Sequence, residues 1–249
     1  MTDGAASIGL RVEGVSVRFG GHLALDDVHL YAPPGRVTGL IGPNGAGKTT
    51  LFNVITGVLP PTSGRVRFGD RDITHLAAHR RARLGVGRTF QRLELFTSLT
   101  VRDNIRVAGE IANRSRRHRV NITADCVRIL DQLGLQHLAD REIGEIPTGV
   151  ARRVEVGRAL MTGPKMLLLD EPASGQDEQE TAEFGALLQR LAAAGTGILV
   201  VEHDRALEMS ACEHIHVLDF GRIIASGTPD GVRADPAVLE AYLGTDEPR

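Results

Sequence analysis

The feature that most constrains the fold of this chain is a glycine-rich turn placed between an apolar run and a helical pattern. The turn, GPNGAGKTT, spans Gly42 to Thr50 and fits the pattern G-x-x-x-x-G-K-[ST]. The apolar run Val37–Ile41 before it predicts a buried strand. Lys48–Gly57 after it predicts a helix, which Gly57 and the pair Pro60-Pro61 terminate. A strand, this turn and a helix, in that order, predict a phosphate-binding loop.

The residue types of this turn suit the binding of a polyphosphate. Glycines let successive backbone N–H groups point at a phosphate, and the start of the following helix adds positive potential. Lys48 supplies a point charge for the β- and γ-phosphates, and the Thr49 hydroxyl is placed to ligate Mg²⁺. The candidate nucleotide-binding residues of the turn are Gly42, Pro43, Asn44, Gly45, Ala46, Gly47, Lys48, Thr49 and Thr50.

Two carboxylates at the end of another apolar run supply the second half of such a site. The segment Met166–Pro172 reads MLLLDEP, which predicts a buried strand that ends at Asp170 and Glu171. We expect Asp170 to hold Mg²⁺ through water and Glu171 to orient or polarise the attacking water as a general base. The sequence therefore predicts a site that hydrolyses a phosphoanhydride with the help of Mg²⁺.

Short apolar runs alternate with longer helical patterns along the chain, which predicts α/β architecture. Residues from about Val101 to Leu138 are helical in pattern and contain no good strand. They predict a helical subdomain, at about residues 92–162, inserted in one domain that covers residues 1–249. The expected strands are Leu10–Arg18, Val28–Tyr31, Val37–Ile41, Arg65–Phe68, Met166–Leu169, Ile198–Val201, His214–Leu218 and Arg222–Ala225, the last two forming a hairpin.

Composition and charge argue against several other classes of protein. A net charge of −2 on 249 residues does not favour an extended nucleic-acid surface. The two cysteines, Cys126 and Cys212, are far apart, which predicts neither a metal framework nor a disulfide scaffold. The N-terminus lacks the pattern of a signal peptide, and the longest apolar runs are far shorter than the ~20 residues of a membrane span. We expect a cytoplasmic protein that reaches a membrane only through a partner.

Two further features have alternative interpretations. The run NRSRRHRVN, Asn113 to Asn121, is basic enough to contact nucleic acid, but a solvated helix end or loop explains it as well. No aromatic residues are interleaved for base stacking, which favours the second interpretation. His214 and His216 lie on one face of an expected strand, as in a metal site, but the sequence shows no third ligand and a structural role is favoured.

With these motifs in place, the sequence resembles the ATP-binding subunits of the ABC transporter family from about Leu10 to Leu243. The resemblance implies a P-loop NTPase core of ABC ATPase type with an N-terminal antiparallel β region and an inserted helical subdomain. It also implies that the cofactors are ATP and Mg²⁺.

The resemblance assigns roles to residues outside the phosphate loop. Phe19 in VRFGG matches the aromatic residue that stacks on adenine, the alternative being a core phenylalanine. Gln91 in RTFQ matches the glutamine that touches Mg²⁺ and links the nucleotide site to the membrane subunit. His203 in VVEHD matches the switch histidine that contacts the γ-phosphate. The string ASGQD, Ala173 to Asp177, lies where the D-loop of the family belongs, although the family more often has leucine where Gln176 stands.

One motif of the family is altered in this chain. The stretch EIPTGVARRVEVGRAL, which starts at Glu145, falls where the family has its signature, usually LSGGQ or LSYGQ. Pro147 replaces the serine and removes both a hydroxyl and an N–H, and Val150 replaces the glutamine. Thr148, at the variable position, and the retained Gly149 are the remaining candidate nucleotide contacts. The resemblance therefore implies a degenerate signature, which weakens the half of the ATP site that one subunit lends to the other.

Several strings resemble the ATP-binding proteins of branched-chain amino acid importers, among them GRTFQRLELFTSLTVRDNI, EPASGQDEQET and the ending AYLG. The ATPase of lipopolysaccharide export shares much of this pattern, and VEHD in place of its usual TDHN favours the importer. The resemblance implies two membrane permease subunits, a second ATP-binding subunit in a heterodimer, an extracytoplasmic solute-binding protein and a location on the cytoplasmic face of the cell membrane. The expected function is ATP hydrolysis that powers the import of branched-chain or other hydrophobic amino acids.

Three other functions compete with this one. A lipopolysaccharide-export-like or other ABC ATPase would carry the same motifs. A soluble ABC-type ATPase acting on nucleic acid or ribosomes usually has long coiled-coil insertions or two cassettes, and this chain has one cassette and no sustained heptads. A regulatory subunit that binds ATP without hydrolysing it would not need Glu171 and His203.

Overall fold

The computed structural model describes residues 8–89, 93–115, 121–202, 207 and 210–243. The strands are β1 (Leu10–Phe19), β2 (His22–Ala32), β3 (Val37–Ile41), β4 (Ser63–Phe68), β5 (Arg71–Asp72), β6 (Val86–Arg88), β7 (Met166–Asp170), β8 (Gly197–Val201), β9 (His214–Asp219) and β10 (Arg222–Gly227). The helices are α1 (Lys48–Thr56), α2 (Ala78–Leu84), α3 (Val101–Ser115), α4 (Ile122–Gln132), α5 (Thr148–Leu160), α6 (Glu178–Ala193), α7 (Pro229–Arg233) and α8 (Pro236–Leu243). Two 3₁₀ turns, Gln136–Leu138 and Ile143–Glu145, lie between α4 and α5.

An antiparallel sheet forms the N-terminal part of the fold, as the resemblance implies. Its strand order is β2-β1-β4-β5, and β1 and β2 form a hairpin in which Phe19 faces His22. The apolar residues Leu10, Val12 and Val17 of β1 are buried in a core cluster that also contains residues of α1 and of the second sheet. Packing of apolar side chains on one face stabilises an antiparallel sheet whose other face is exposed to solvent.

The second sheet is the core of the fold and has the order β10-β9-β3-β8-β7-β6. Five neighbouring strands are parallel, and β10 joins β9 antiparallel as the expected hairpin. Every residue of β3, β7 and β8 is buried, which explains why these strands are continuous apolar runs. Val201 pairs with both Leu40 and Asp170, so the carboxyl ends of β3, β8 and β7 meet at one edge.

The helical stretch lies between β6 and β7, where the sequence places it. Helices α3 and α4 and the first 3₁₀ turn lie within the expected segment, and α5 follows. Ile105, Ile129 and Val154, one from each of these helices, are buried in the same apolar cluster. The boundaries 92–162 and the division of 1–249 into one domain with a subdomain stay predictions.

Three details differ from the expectation. Strand β2 begins at His22, six residues before the expected Val28, because its first residues pair with β1, although the polar Asp26-Asp27 interrupts the apolar pattern. Strand β5 has only two residues, and β6, Val86–Arg88, has a single apolar one; it is a strand because it pairs with β7. Most of the basic run 113–121 lies outside the described residues.

The two histidines of β9 take part in a hydrogen-bonded chain. His216 Nε2 faces the carbonyl O of Tyr31 at 3.2 Å and must carry the proton, because a carbonyl only accepts. Its Nδ1 therefore accepts from the Ser226 hydroxyl at 2.9 Å, and that oxygen lies 2.8 Å from His214 Nε2. Among the described residues no group of three or more His, Cys, Asp or Glu side chains could hold a metal ion. The hydrogen bonds of His214 and His216 therefore support a structural role for these two side chains.

Candidate active site

The phosphate loop connects β3 to α1 and is held by the turn of the β9–β10 hairpin. Gly221 N donates to the carbonyl O of Ala46 at 2.9 Å. A Cβ on Gly42 would lie 1.9 Å from the carbonyl O of Leu218, so only glycine fits at that position. Gly47, at φ 108°, caps the start of α1 in the left-handed conformation. These contacts fix the loop at the carboxyl end of β3, where its backbone is available to phosphate.

Lys48 is the first residue of α1 and its side chain folds back over the loop. Lys48 is buried, and its ammonium donates to the carbonyl oxygens of Gly42 and Pro43, the latter at 3.0 Å. Thr49, the next residue, is exposed. A buried cation inside the loop and an accessible hydroxyl beside it are the groups that a Mg²⁺-bound polyphosphate requires.

Asp170 ends β7 in the interior of the site. Arg88, the last residue of β6, places Nη2 at 3.3 Å from Asp170 Oδ2, and the two side chains are 14% and 6% exposed. Burial raises the pKa of Asp170, while the positive charges of Arg88 and Lys48 oppose that rise. The carboxyl ends of β3 and β7 meet at one edge of the sheet, so the phosphate loop and the Asp170 carboxylate belong to one site.

Glu171 follows Asp170 in a sharp turn. Its φ is +48°, an uncommon value for a residue other than glycine and one that is frequent at functional sites. Its backbone N–H donates to the carbonyl O of Val201 at 2.9 Å, which ties the turn to the end of β8. Thus Glu171 leaves the strand direction at the edge where the phosphate loop lies. Its role as the general base stays a prediction.

The other predicted residues are distributed as follows. Phe19 is 51% exposed at the end of β1, so it is not a core phenylalanine, and its stacking on adenine stays a prediction. Gln91 and His203 lie outside the described residues. Val201 and Glu202, which precede His203, are described and buried at the edge beside Asp170.

Two residues of the site were missed from the sequence. Glu202 is 2% exposed, and its Oε1 accepts from Ala173 N at 2.7 Å, which joins the segment before His203 to the start of ASGQD. Arg88 contacts Asp170 as described. Glu202 and Arg88 lie in the strings VVEHD and RTFQ, which also contain His203 and Gln91. The signal that could have identified them is a charged residue at the end of a buried or paired strand.

The altered signature forms the start of α5. Pro147 is the N-cap and makes no side-chain capping bond, and Thr148 is the first helical residue. A Cβ on Gly149 would lie 3.0 Å from Oε1 of Glu180 on α6. Glu180 also completes a capping box with Asp177, which fixes its position. The start of α5 therefore packs closely against the start of α6, and a side chain larger than glycine at position 149 would require the Glu180 carboxylate to shift.

Comparison with known proteins decides the family. The model of the family "ABC transporter" matches residues 25–174, which is more than half of the chain. The chain belongs to the ABC transporter family. A second family model, "Branched-chain amino acid ATP-binding cassette transporter", matches residues 222–248 at the C-terminus.

Curated relatives of the ABC family cover nearly the whole chain. The high-affinity branched-chain amino acid transport ATP-binding protein BraF of Pseudomonas aeruginosa is 39% identical over 94% of this chain and 97% of its own length. LivG of Escherichia coli K12, described in the same words, is also 39% identical, with the same shares covered. The lipopolysaccharide export system ATP-binding protein LptB of Escherichia coli K12 is 33% identical over 95% of this chain and 98% of its own length.

Solved structures confirm the predicted fold class. A nucleotide-free ATP-binding cassette of an ABC transporter matches with a TM-score of 0.84 at 36% identity, over 94% of this chain and 98% of that one. The ADP conformation of an ATP-binding cassette matches with a TM-score of 0.85 at 36% identity, over 95% and 99% of the two chains. The protein is therefore a nucleotide-binding ATPase subunit of ABC type. Within the described part of the chain, no helix is long and apolar enough to cross a bilayer.

Proposed function

We propose that this ATPase powers the import of branched-chain or other hydrophobic amino acids. The observation that carries the proposal is the 39% identity to BraF and LivG over 94% of the chain, together with the C-terminal family match at 222–248. LptB, at 33% identity, supports the alternative of an exporter ATPase less well.

Hydrolysis requires Mg-ATP in this proposal, and the chain provides suitable groups for both. Lys48 neutralises the β- and γ-phosphates, while Thr49 and Asp170, with Gln91, would hold Mg²⁺, whose positive charge offsets the charge on the transferred phosphoryl group. Glu171 takes a proton from the attacking water as the water oxygen bonds to the γ-phosphorus, and the bond from that phosphorus to the β,γ-bridging oxygen breaks, which releases ADP and phosphate.

The remaining predicted contacts complete the nucleotide site. His203 contacts the γ-phosphate and Phe19 stacks on adenine. The P-loop residues 42–50, apart from Pro43, which has no N–H, cradle the phosphates with their backbone N–H groups.

The working assembly, in the same proposal, lies on the cytoplasmic face of the cell membrane. It contains two permease subunits, a second ATP-binding subunit and an extracytoplasmic solute-binding protein, and no nucleic acid. Pro147 and Val150 favour a heterodimer, because proline has neither a hydroxyl nor an N–H and valine has no side-chain donor for the phosphates of the ATP that the partner binds. A partner with an intact signature would cover the ATP bound by Lys48, while Thr148 and Gly149 of this chain would face the other ATP.

Transport by the reconstituted complex tests the proposed solute class. Vesicles that enclose Mg-ATP and carry the permeases, both ATP-binding subunits and external solute-binding protein should accumulate radiolabelled leucine. The Lys48→Ala complex serves as the ATP-independent background. No accumulation of leucine, isoleucine, valine, phenylalanine or methionine above that background, with ATP still hydrolysed, would reject the proposed solute class and leave the ATPase assignment intact.

A further inference from the structure

Arg88 connects two parts of the active site that the sheet keeps apart. The phosphate loop follows β3 and Asp170 ends β7, but β8 lies between these two strands. Backbone pairing therefore gives no direct link between the helix that carries Lys48 and the strand that carries Asp170. Arg88 ends β6, on the far side of β7, and its side chain is only 14% exposed.

The two ends of the Arg88 guanidinium contact the two parts of the site. Nη2 lies 3.3 Å from Asp170 Oδ2. Nη1 donates to Asn53 Oδ1 of α1 at 2.8 Å and lies 3.4 Å from Thr56 Oγ1. The guanidinium carbon is 5.9 Å from the centre of the Phe52 ring, also on α1. A planar fork with several donors makes such contacts at once, and a lysine ammonium does not reproduce that geometry.

We infer that Arg88 is a positioning residue that couples the orientation of the Asp170 carboxylate to α1, and thereby sets how well bound ATP gains affinity from Mg²⁺. The inference rests on the proposed roles of Thr49 and Asp170 toward Mg²⁺. Groups that hold a metal-binding carboxylate through hydrogen bonds commonly change metal affinity or activity 10–100-fold when removed. Asp170 Oδ2 accepts from Arg88, and α1, which presents Thr49, is held by the same guanidinium.

A competing effect has the opposite sign. The positive charge of Arg88 repels Mg²⁺, so a variant without that charge would bind Mg-ATP more tightly if repulsion outweighed positioning. The inference requires that positioning dominates. The two effects are separable because lysine keeps the charge and loses the fork, while methionine loses both.

The test measures the dissociation constant of ATP twice, by calorimetry on the purified chain, once in excess EDTA and once in excess Mg²⁺. The ratio is the constant in EDTA divided by the constant in Mg²⁺, so a larger ratio means a larger gain in affinity from Mg²⁺. Arg88→Met should reduce this ratio about 10–100-fold, and Arg88→Lys should also reduce it. Affinity in EDTA should stay within about twofold, because Lys48 and the phosphate loop are untouched. Asn53→Ala, which removes one contact of Arg88 on α1 and leaves those with Thr56 and Phe52, should give a smaller reduction.

Two controls distinguish positioning from general damage. Arg128→Met removes an exposed arginine that pairs with Asp125 on α4 and should leave the ratio unchanged. Arg81→Lys disturbs a buried arginine of α2 that donates to the carbonyl O of Val54 in the same part of α1, and it should lower the unfolding temperature without changing the ratio.

The outcomes separate this inference from the proposed function. A ratio that is unchanged or raised in both Arg88 variants, with wild-type behaviour normal, would overturn the role of Arg88 alone. A wild-type chain whose ATP affinity does not respond to Mg²⁺ would overturn the proposed Mg-ATP site, and this inference with it. If Arg88→Met does not fold, Arg88→Lys and Asn53→Ala decide the question.

Discussion

The backbone N–H of Glu171 donates a 2.9 Å hydrogen bond to the carbonyl O of Val201. Val201 ends β8, and the predicted switch residue His203 stands two positions later. Glu202, between them, accepts from Ala173 N at 2.7 Å. The segments that lead to the proposed base and to the proposed γ-phosphate contact are thus joined twice through buried groups. A carboxylate carried on such a braced turn is oriented by the sheet, which suits general-base chemistry.

Lys48→Ala should weaken ATP binding by about 1.5–3 kcal/mol, or roughly 10–150-fold, because a hydrogen-bonded point charge on the phosphates is lost. Calorimetric titration of the purified chain measures the change. Lys165, the only other lysine in the sequence, lies before β7 at the opposite edge of the sheet, and Lys165→Ala is the matched control. Equal affinities in Lys48→Ala and wild type would remove the phosphate loop from nucleotide binding.

Restoring the serine and the glutamine of the signature should raise ATP hydrolysis. Pro147→Ser with Val150→Gln adds two groups that can bond a partner's phosphate, and two such bonds to a charged group are worth about 3–6 kcal/mol. If the chain dimerises alone, hydrolysis by the lone chain should rise more than hydrolysis by the heterodimer, since both homodimer sites lie under the altered motif. Steady-state phosphate release from both preparations measures this.

Each single substitution is a control for the restored pair, because Pro147→Ser alone also relieves the helix start of a residue without an N–H. The idea of unequal sites is wrong if the unmodified chain alone already hydrolyses ATP as fast as the full complex.

Arg81→Met should destabilise the fold by at least about 3 kcal/mol, because several buried carbonyls lose their donor. Arg81 is 1% exposed and donates to the carbonyl oxygens of Val54 and Ile55, at the C-terminal end of α1, at 2.6 and 2.7 Å. It also donates to Thr74 O at 2.7 Å. Urea unfolding followed by circular dichroism measures the loss. The exposed Arg83 on the same helix is the control, and equal stability of the Arg81→Met and Arg83→Met variants would contradict the expectation.

His216 should make the fold sensitive to acid. Burial lowers the pKa of His216 from 6.5 to about 4, and the nearby His214 contributes to the fall. The unfolded chain therefore binds this proton more readily, so the unfolding free energy drops by up to about 3 kcal/mol as pH falls from 6.5 to 4. His216→Gln should flatten that part of the stability curve, measured by urea unfolding at several pH values. The exposed His29 provides the control His29→Gln, and an unaltered slope in His216→Gln would be the contrary result.

The sequence alone predicts the strands in which every residue is buried, and it also predicts the site residues that follow those strands. Val37–Ile41 was predicted with its observed bounds, because a fully buried parallel strand is a continuous apolar run. β6 was not predicted, since its strand character comes from pairing with β7 and not from its own three residues. For the same reason Arg88 was missed: its importance arises from contacts with Asp170 and Asn53, which are far away in sequence.

The altered signature shows the same limit. Gly149 was expected to admit a phosphate, and that expectation came from the motif. Its tight packing against Glu180 depends on how α5 and α6 meet, which no local pattern encodes.

The most direct test of the account is ATP hydrolysis by the assembled heterodimeric complex that carries Glu171→Gln. Glu171 is proposed as the general base of the competent site, and the other site lies under the altered signature, so turnover should fall about 10²–10⁴-fold while ATP binding is retained. Glu178→Gln, an exposed carboxylate in the first turn of α6, should hydrolyse at the wild-type rate. Wild-type turnover by the Glu171→Gln complex would contradict the central claim that this chain's own site performs the hydrolysis.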